Sequence, residues 1–114
     1  MSETIFSKII KREIPADILY EDEEVLAFSD VNPQAPVHFL VIPKQQITTI
    51  NDIQPEQAHL VGKMVLTAQK LAAEKGVAEN GYRLVMNCNE DGGQTVFHIH
   101  LHVLGGRALS WPPG

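Results

Sequence analysis

Residues 96–104 read VFHIHLHVL, a run that sets His98, His100 and His102 at alternate positions and contains no Asp, Glu, Lys or Arg. The whole sequence holds only five histidines, so three in register is a pattern and not an effect of composition. On a helix a spacing of two scatters side chains around the axis; on a strand it lines them along one face. The run predicts a strand whose three rings share a wet, functional side. Phe97, Ile99, Leu101 and Val103 then face the core.

The other elements follow from period and punctuation. TIFSKIIKREIP, residues 4–15, carries Ile5, Phe6, Ile9 and Ile10 at helical spacing, with Thr4 as N-cap and Pro15 as the stop. DILYEDEEVLAFSD, residues 17–30, reads as two short strands joined at the acidic turn Glu21 to Glu24. VHFLVIPK, residues 37–44, is a further strand with Val37, Phe39 and Val41 on one face and His38, Leu40 and Ile42 on the other. The clearest helix is PEQAHLVGKMVLTAQKLAAEKG, residues 55–76, opened by Pro55 and Glu56 and closed by Lys75 and Gly76. Its core stripe is Ala58, Val61, Met64, Val65, Ala68, Leu71 and Ala72; Leu60 widens one edge, while Gly62, Leu66 and Ala73 fall outside it. GYRLVMNC and the histidine run complete about five strands. The order helix, three strands, helix, two strands gives an α+β fold with an antiparallel sheet and two helices. With 114 residues, 44% apolar, one core is the natural reading: a single domain, 1–114, in which 105–114 form a C-terminal tail. The apolar arc of the long helix is wider than one small sheet buries, and a second copy of the chain is its simplest cover. A homodimer is therefore expected.

NCNEDGGQT, residues 87–95, immediately precedes the histidines. Gly92 and Gly93 permit backbone conformations in which successive N–H groups converge on an anion. Thr95 adds a hydroxyl, and Asn87 a carboxamide. A net charge of −5 with scattered basic residues argues against a nucleic-acid partner, which needs a positive stripe. Any phosphate bound here is held by neutral donors and titratable rings. No apolar run approaches the ~18 residues of a membrane span, no N-terminal signal is visible, and the single cysteine, Cys88, is read as a small packed side chain. The expected location is cytoplasmic.

Two chemistries suit alternating histidines. A His-x-His pair on a strand is a zinc pattern, although the outer two rings stand roughly 13 Å apart along a straight strand and no carboxylate lies nearby in sequence. The other is phosphorus chemistry, in which one neutral imidazole attacks and its neighbours bind phosphate oxygens and assist the leaving group.

His98-Ile99-His100-Leu101-His102-Val103-Leu104 resembles the signature of the histidine-triad (HIT) superfamily: three histidines, each followed by an apolar residue, with a second apolar residue at the end. TIFSKIIKREIPA, VNPQAPVHFLVIPK, GYRLVMN, DGGQ, HVLGGR and WPPG are similar to its Hint branch, and the resemblance runs from about Thr4 to Gly114. It implies a HIT-like homodimer that hydrolyses the P–N bond of purine nucleoside 5'-monophosphoramidates through a nucleotidyl-histidine. His100 is then the nucleophile, with His98, His102 and His38 around it. Asp30 accepts hydrogen bonds from the ribose hydroxyls. Val31, Ile5, Phe6, Ile9, Phe28 and Leu40 form the slot for the base, while Asn87, Gly93, Gln94 and Thr95 hold the phosphate. Many members of that branch carry serine at the position of Thr95; threonine keeps the hydroxyl but stiffens its rotamer. Trp111, in the tail, is expected near the partner subunit's leaving-group pocket. No metal or cofactor is implied, since the amide nest and imidazolium groups can balance the phosphate charge. The competing readings are a nucleotide-binding interaction protein with incidental hydrolysis and a zinc-binding protein.

Overall fold

The computed structural model describes residues 3–114. Its elements are α1 (Ile5–Ile10), β1 (Ile18–Glu21), β2 (Val25–Ser29), β3 (Val37–Pro43), α2 (Ala58–Glu74), β4 (Tyr82–Val85), α3 (Asn89–Gly92) and β5 (Leu101–Gly105). Single 3-10 turns at Ile50–Asp52 and Pro55–Gln57 lead into α2. The five strands form one antiparallel sheet in the order β1-β2-β3-β5-β4, the α+β arrangement expected from the sequence. Where the sequence predicts two helices, the described residues contain a third, the short α3.

Each face of the sheet has its own apolar cluster. Val25, Ala27, Phe39, Val41, Leu101 and Val103 pack against Leu60, Met64, Ala68 and Leu71 of α2. Leu26, Phe28, Leu40 and Ile42 point the other way, onto Phe6 and Ile9 of α1. The period-two alternation of β2 and β3 thus serves two cores, which is why Val25 to Phe28 are all buried.

Several predicted details change. The helix α1 opens as expected, with Thr4 Oγ1 accepting from Ser7 N–H at 3.1 Å and Ser7 Oγ accepting from Thr4 N–H at 2.9 Å. It ends at Ile10, before Pro15 is reached, because Arg12 takes a left-handed conformation, φ 65°. The stripe of α2 is rotated: Leu60 and Thr67 are buried, whereas Ala58 and Val65 are exposed and Val61 is half-buried. The histidine strand is shorter than the nine residues predicted, since pairing starts only at Leu101. Upstream, Ile99 N–H is claimed by Ile47 carbonyl at 2.8 Å. Alternation survives this break, with Ile99, Leu101 and Val103 in the α2 core, but Phe97 is 41% exposed and is not a core residue.

Candidate active site

Sheet register brings the rings together. Leu40 lies opposite His102 and His38 opposite Leu104, so His38 and His102 share a face as diagonal neighbours, within reach of long side chains. The ring contacts run in a chain. Phe6 of α1 lies 6.0 Å from His98 and 4.9 Å from His100, centroid to centroid; His100 lies 5.0 Å from His102, and His102 5.2 Å from His38. Asp30 follows β2, and its N–H donates to His38 carbonyl at 3.0 Å, which sets the carboxylate beside the rings.

The predicted wet face is in fact covered. His98 is fully buried, and His100 and His38 are buried as well. Burial holds the pKa of His98, His100 and His38 below the ordinary imidazole value, and that of His102, crowded further by His100 and His38, down to about 4. The expectation of imidazolium groups is corrected accordingly: at neutral pH the rings are neutral, the state an imidazole nucleophile requires.

Hydrogen-bond partners fix where the protons sit. His100 Nδ1 lies 2.9 Å from His98 carbonyl, which can only accept, so Nδ1 carries the proton and Nε2 a free lone pair. Gln34 N–H donates to His38 Nδ1 at 3.0 Å, so the His38 proton is on Nε2. That nitrogen lies 3.0 Å from His102 Nδ1, with Asp30 Oδ2 3.3 Å away. His102 Nδ1 is thereby an acceptor, and neutral His102 bears its proton on Nε2. His98 Nε2–H donates to Pro43 carbonyl at 2.7 Å.

Between α1, the segment Phe28 to Val31, the 87–96 loop and the rings of His100 and His102 lies a cavity of about 390 Å³, within the usual range for small-molecule sites. Its apolar lining includes Ile5, Phe6, Ile9, Phe28, Val31 and Leu40; its polar lining includes Asp30, Asn87, Gly93, Thr95, His100 and His102. No lysine or arginine lines it. Ile14, Pro15, Ala16, Ser29 and Val96 complete the lining; sequence reasoning missed them, having read Pro15 only as a stop signal. Of the predicted residues, His98, His38, Gln94 and Trp111 do not line the cavity. His98 and His38 stand behind the lining rings. Gln94 braces the loop: its Oε1 accepts from Asn89 N–H at 2.8 Å and its Nε2 donates to Thr48 and Val96 carbonyls. Trp111 is 80% exposed.

The glycine loop also differs from the predicted nest. Asn89–Gly92 form α3, closed by Gly93 at φ 85°, and the N–H groups of Gly93 and Gln94 donate to Glu90 and Asn89 carbonyls. Those two amides are committed to the loop. An anion would instead meet the rings, the Thr95 hydroxyl and the Asn87 carboxamide.

By distance alone, Asp30, His38 and His102 could hold a metal ion, their ligand atoms lying within 4.8 Å of one another. The protons oppose it. Nδ1 of His38 already accepts from Gln34 N–H, so a metal on Nε2 would have to strip the ring to an imidazolate. The donor set does not fit a resident cation.

Comparison with known proteins adds a second line of observation. The HIT domain family model matches residues 11–109. The purine nucleoside phosphoramidase of Escherichia coli (strain K12) is 57% identical over 107 residues, 94% of this chain and 90% of that protein. An uncharacterised HIT-like protein of Synechococcus elongatus is 59% identical, with both chains covered in full. The crystal structure of a HIT family hydrolase from Legionella pneumophila superposes with a TM-score of 0.96 at 52% identity, covering 98% of this chain and 100% of that one.

Proposed function

The chain belongs to the HIT domain family, and from that premise we propose that it is a nucleotide hydrolase that cleaves the P–N bond of purine nucleoside 5'-monophosphoramidates. The observation that carries this reading is the proton arrangement at His100: a neutral buried ring, Nδ1–H tied to His98 carbonyl, with the Nε2 lone pair at a ring lining the cavity. The phosphoramidase relative, at 57% identity, supports the bond type.

In this reading the base lies against Ile5, Phe6, Ile9, Phe28, Val31 and Leu40, and the ribose hydroxyls donate to Asp30. One carboxylate oxygen of Asp30 already accepts from Asn32 N–H at 2.8 Å, which holds it in a turn; a carboxylate retains further acceptor sites. Asn87 and Thr95 take phosphate oxygens. His100 Nε2 attacks phosphorus and the P–N bond breaks; His102 Nε2–H hydrogen-bonds to the departing nitrogen, which takes its proton from solvent. The nucleotide is then carried by a His100 imidazolium, with His102 still neutral. Water attacks phosphorus from the amine's side and releases its proton to solvent. His100 leaves with its lone pair, and the monophosphate departs. No step needs a metal to carry charge.

Two chains are proposed to pair. β4 is an edge strand, and Val65, Leu66 and Leu84 are exposed apolar side chains that a partner would cover.

The test is turnover of an adenosine 5'-phosphoramidate by chelator-treated protein, with acid-quenched samples analysed by mass spectrometry. The expected result is unimpaired cleavage and one nucleotide on His100. His100→Ala should bind a nucleoside monophosphate within about tenfold of wild type, ~1.4 kcal/mol, while its hydrolysis falls by several orders of magnitude. A label on Thr95 or Cys88, or activity that vanishes with the chelator, would overturn the reading.

A further inference from the structure

The turn after β5 is pressed against the loop before β3. Gly106 sits at φ 91°, and a Cβ there would lie 2.9 Å from Pro36 Cβ, so backbone meets loop with no side chain between. Arg107 reaches across this contact. Its Nε and Nη2 donate to Gln34 carbonyl at 3.2 and 3.0 Å, and Nη1 to Ala108 carbonyl at 3.1 Å. Two donors from one planar guanidinium fix a carbonyl in direction as well as distance. The Gln34 side chain is occupied elsewhere, Nε2 donating to Asn32 carbonyl at 3.0 Å. On its other side, Gln34 N–H is the donor to His38 Nδ1.

We propose that Arg107 is a positioning residue for the histidine relay: by gripping Gln34 carbonyl it keeps Gln34 N–H on His38 Nδ1. His38 is thereby held as its Nε2–H tautomer, and His102 keeps its proton on the nitrogen that serves the leaving group. An exposed arginine outside the cavity thus decides which nitrogen of a buried ring is the donor. Once Gln34 N–H drifts, the Nδ1–H form of His38 becomes accessible. It turns a lone pair toward His102 Nδ1, which must answer with its own proton and so gives up the donor on Nε2. Two titratable groups face His38: His102 from β5, and Asp30, whose carboxylate 3.3 Å from Nε2 also favours a proton there. Asp30 persists when Arg107 is changed, so the tautomer shift is partial.

The catalytic half of this proposal rests on the phosphoramidase reading; the tautomer half does not. The experiment combines histidine ¹⁵N spectra of the full chain near neutral pH with turnover of paired alkylamine and arylamine phosphoramidates. Wild type should show His38 protonated at Nε2. Arg107→Met should show a mixture of tautomers, and its alkyl-to-aryl rate ratio should fall by roughly tenfold, about the worth of one good hydrogen bond to the departing amine. Basic alkylamines need that hydrogen bond most. Arg107→Lys, which keeps the charge and loses the fork, should lie between, and it carries the test alone if Arg107→Met does not fold. A folded variant with the wild-type His38 tautomer overturns the proposal. A shifted tautomer with an unaltered rate ratio overturns the link to the leaving group. A wild type that cleaves no P–N bond, with the tautomer still shifting, removes the phosphoramidase reading and leaves the positioning role standing.

Discussion

His98 exposes no surface yet carries two ring nitrogens. Nε2–H is paired with Pro43 carbonyl at 2.7 Å, while Nδ1 has no partner among the described residues. The ring therefore ties the segment leading into β5 to the end of β3, and its carbonyl orients His100. His98→Ala should cost about 2–4 kcal/mol, from a cavity plus an orphaned carbonyl. His98→Leu refills the space and should cost about half as much. Urea unfolding measures both, and a loss below about 1 kcal/mol for alanine would contradict the buried placement. Alternation revealed that these histidines share a side, but it could not say what covers that side, because α1 arrives from far away in sequence. The same limit hid Gln34 and Arg107. Both act through backbone groups, the Gln34 amide on His38 and the Gln34 carbonyl under Arg107, and a backbone group leaves no mark in residue type. Asp30 is identified through the family resemblance alone; its carboxylate accepts from Asn32 N–H in a turn and also lines the cavity.

At the scale of elements, caps were readable and rotational phase was not. Thr4 announces α1, and the reciprocal Thr4–Ser7 bonds bear it out. A helix of six residues is too short to stand alone, so the cap matters to the cavity wall that Phe6 and Ile9 supply. Thr4→Ala should cost about 1 kcal/mol, felt as local fraying. Affinity for a nucleoside monophosphate should weaken by about two- to fivefold, measured by calorimetry; equal affinity would show that α1 docks without its cap. In α2 the predicted stripe began at Ala58, but the 3-10 turn at Pro55–Gln57 precedes it. The helix docks on the sheet through the neighbouring face, with Leu60 in the cluster beside Met64, Ala68 and Leu71. Thr67 can be buried because its hydroxyl is satisfied locally, by Lys63 carbonyl at 2.8 Å. The histidine strand was overextended because a hydrogen bond from Ile99 to Ile47 preserves alternation without a ladder.

Across the whole molecule, four imidazoles, three of them buried and His102 half-buried, have depressed pKa values, while unfolded rings titrate near ~6.5. In that window the unfolded chain binds more protons than the folded one, so stability rises with pH. It is complete above about pH 7 and is lost as pH falls through ~6.5 toward the His102 value of about 4. Melting temperature should take that course, and His102→Gln should flatten it; a flat profile in wild type would contradict the burial of neutral rings. The paired carboxylates Asp22, Glu21 and Glu24, held below their ordinary values by Lys63, Lys44 and their neighbours, add a loss of the same sign at lower pH. The tail poses the remaining question at this scale. Arg83 of β4 ties its start down through Ser110 carbonyl at 2.9 Å and Leu109 carbonyl at 3.4 Å. Yet Trp111 beyond that clamp is 80% exposed and covers nothing of its own cavity. The expectation for the proposed dimer is that this indole meets the partner's leaving-group side, where it can stack on an aromatic or apolar amine. Deleting residues 109–114 should then alter the relative rates for alkyl and aryl amines more than affinity for the bare monophosphate. If the truncated protein remains a dimer and keeps the full chain's relative rates, the tail takes no part in choosing the amine, and Trp111 is exposed for another reason.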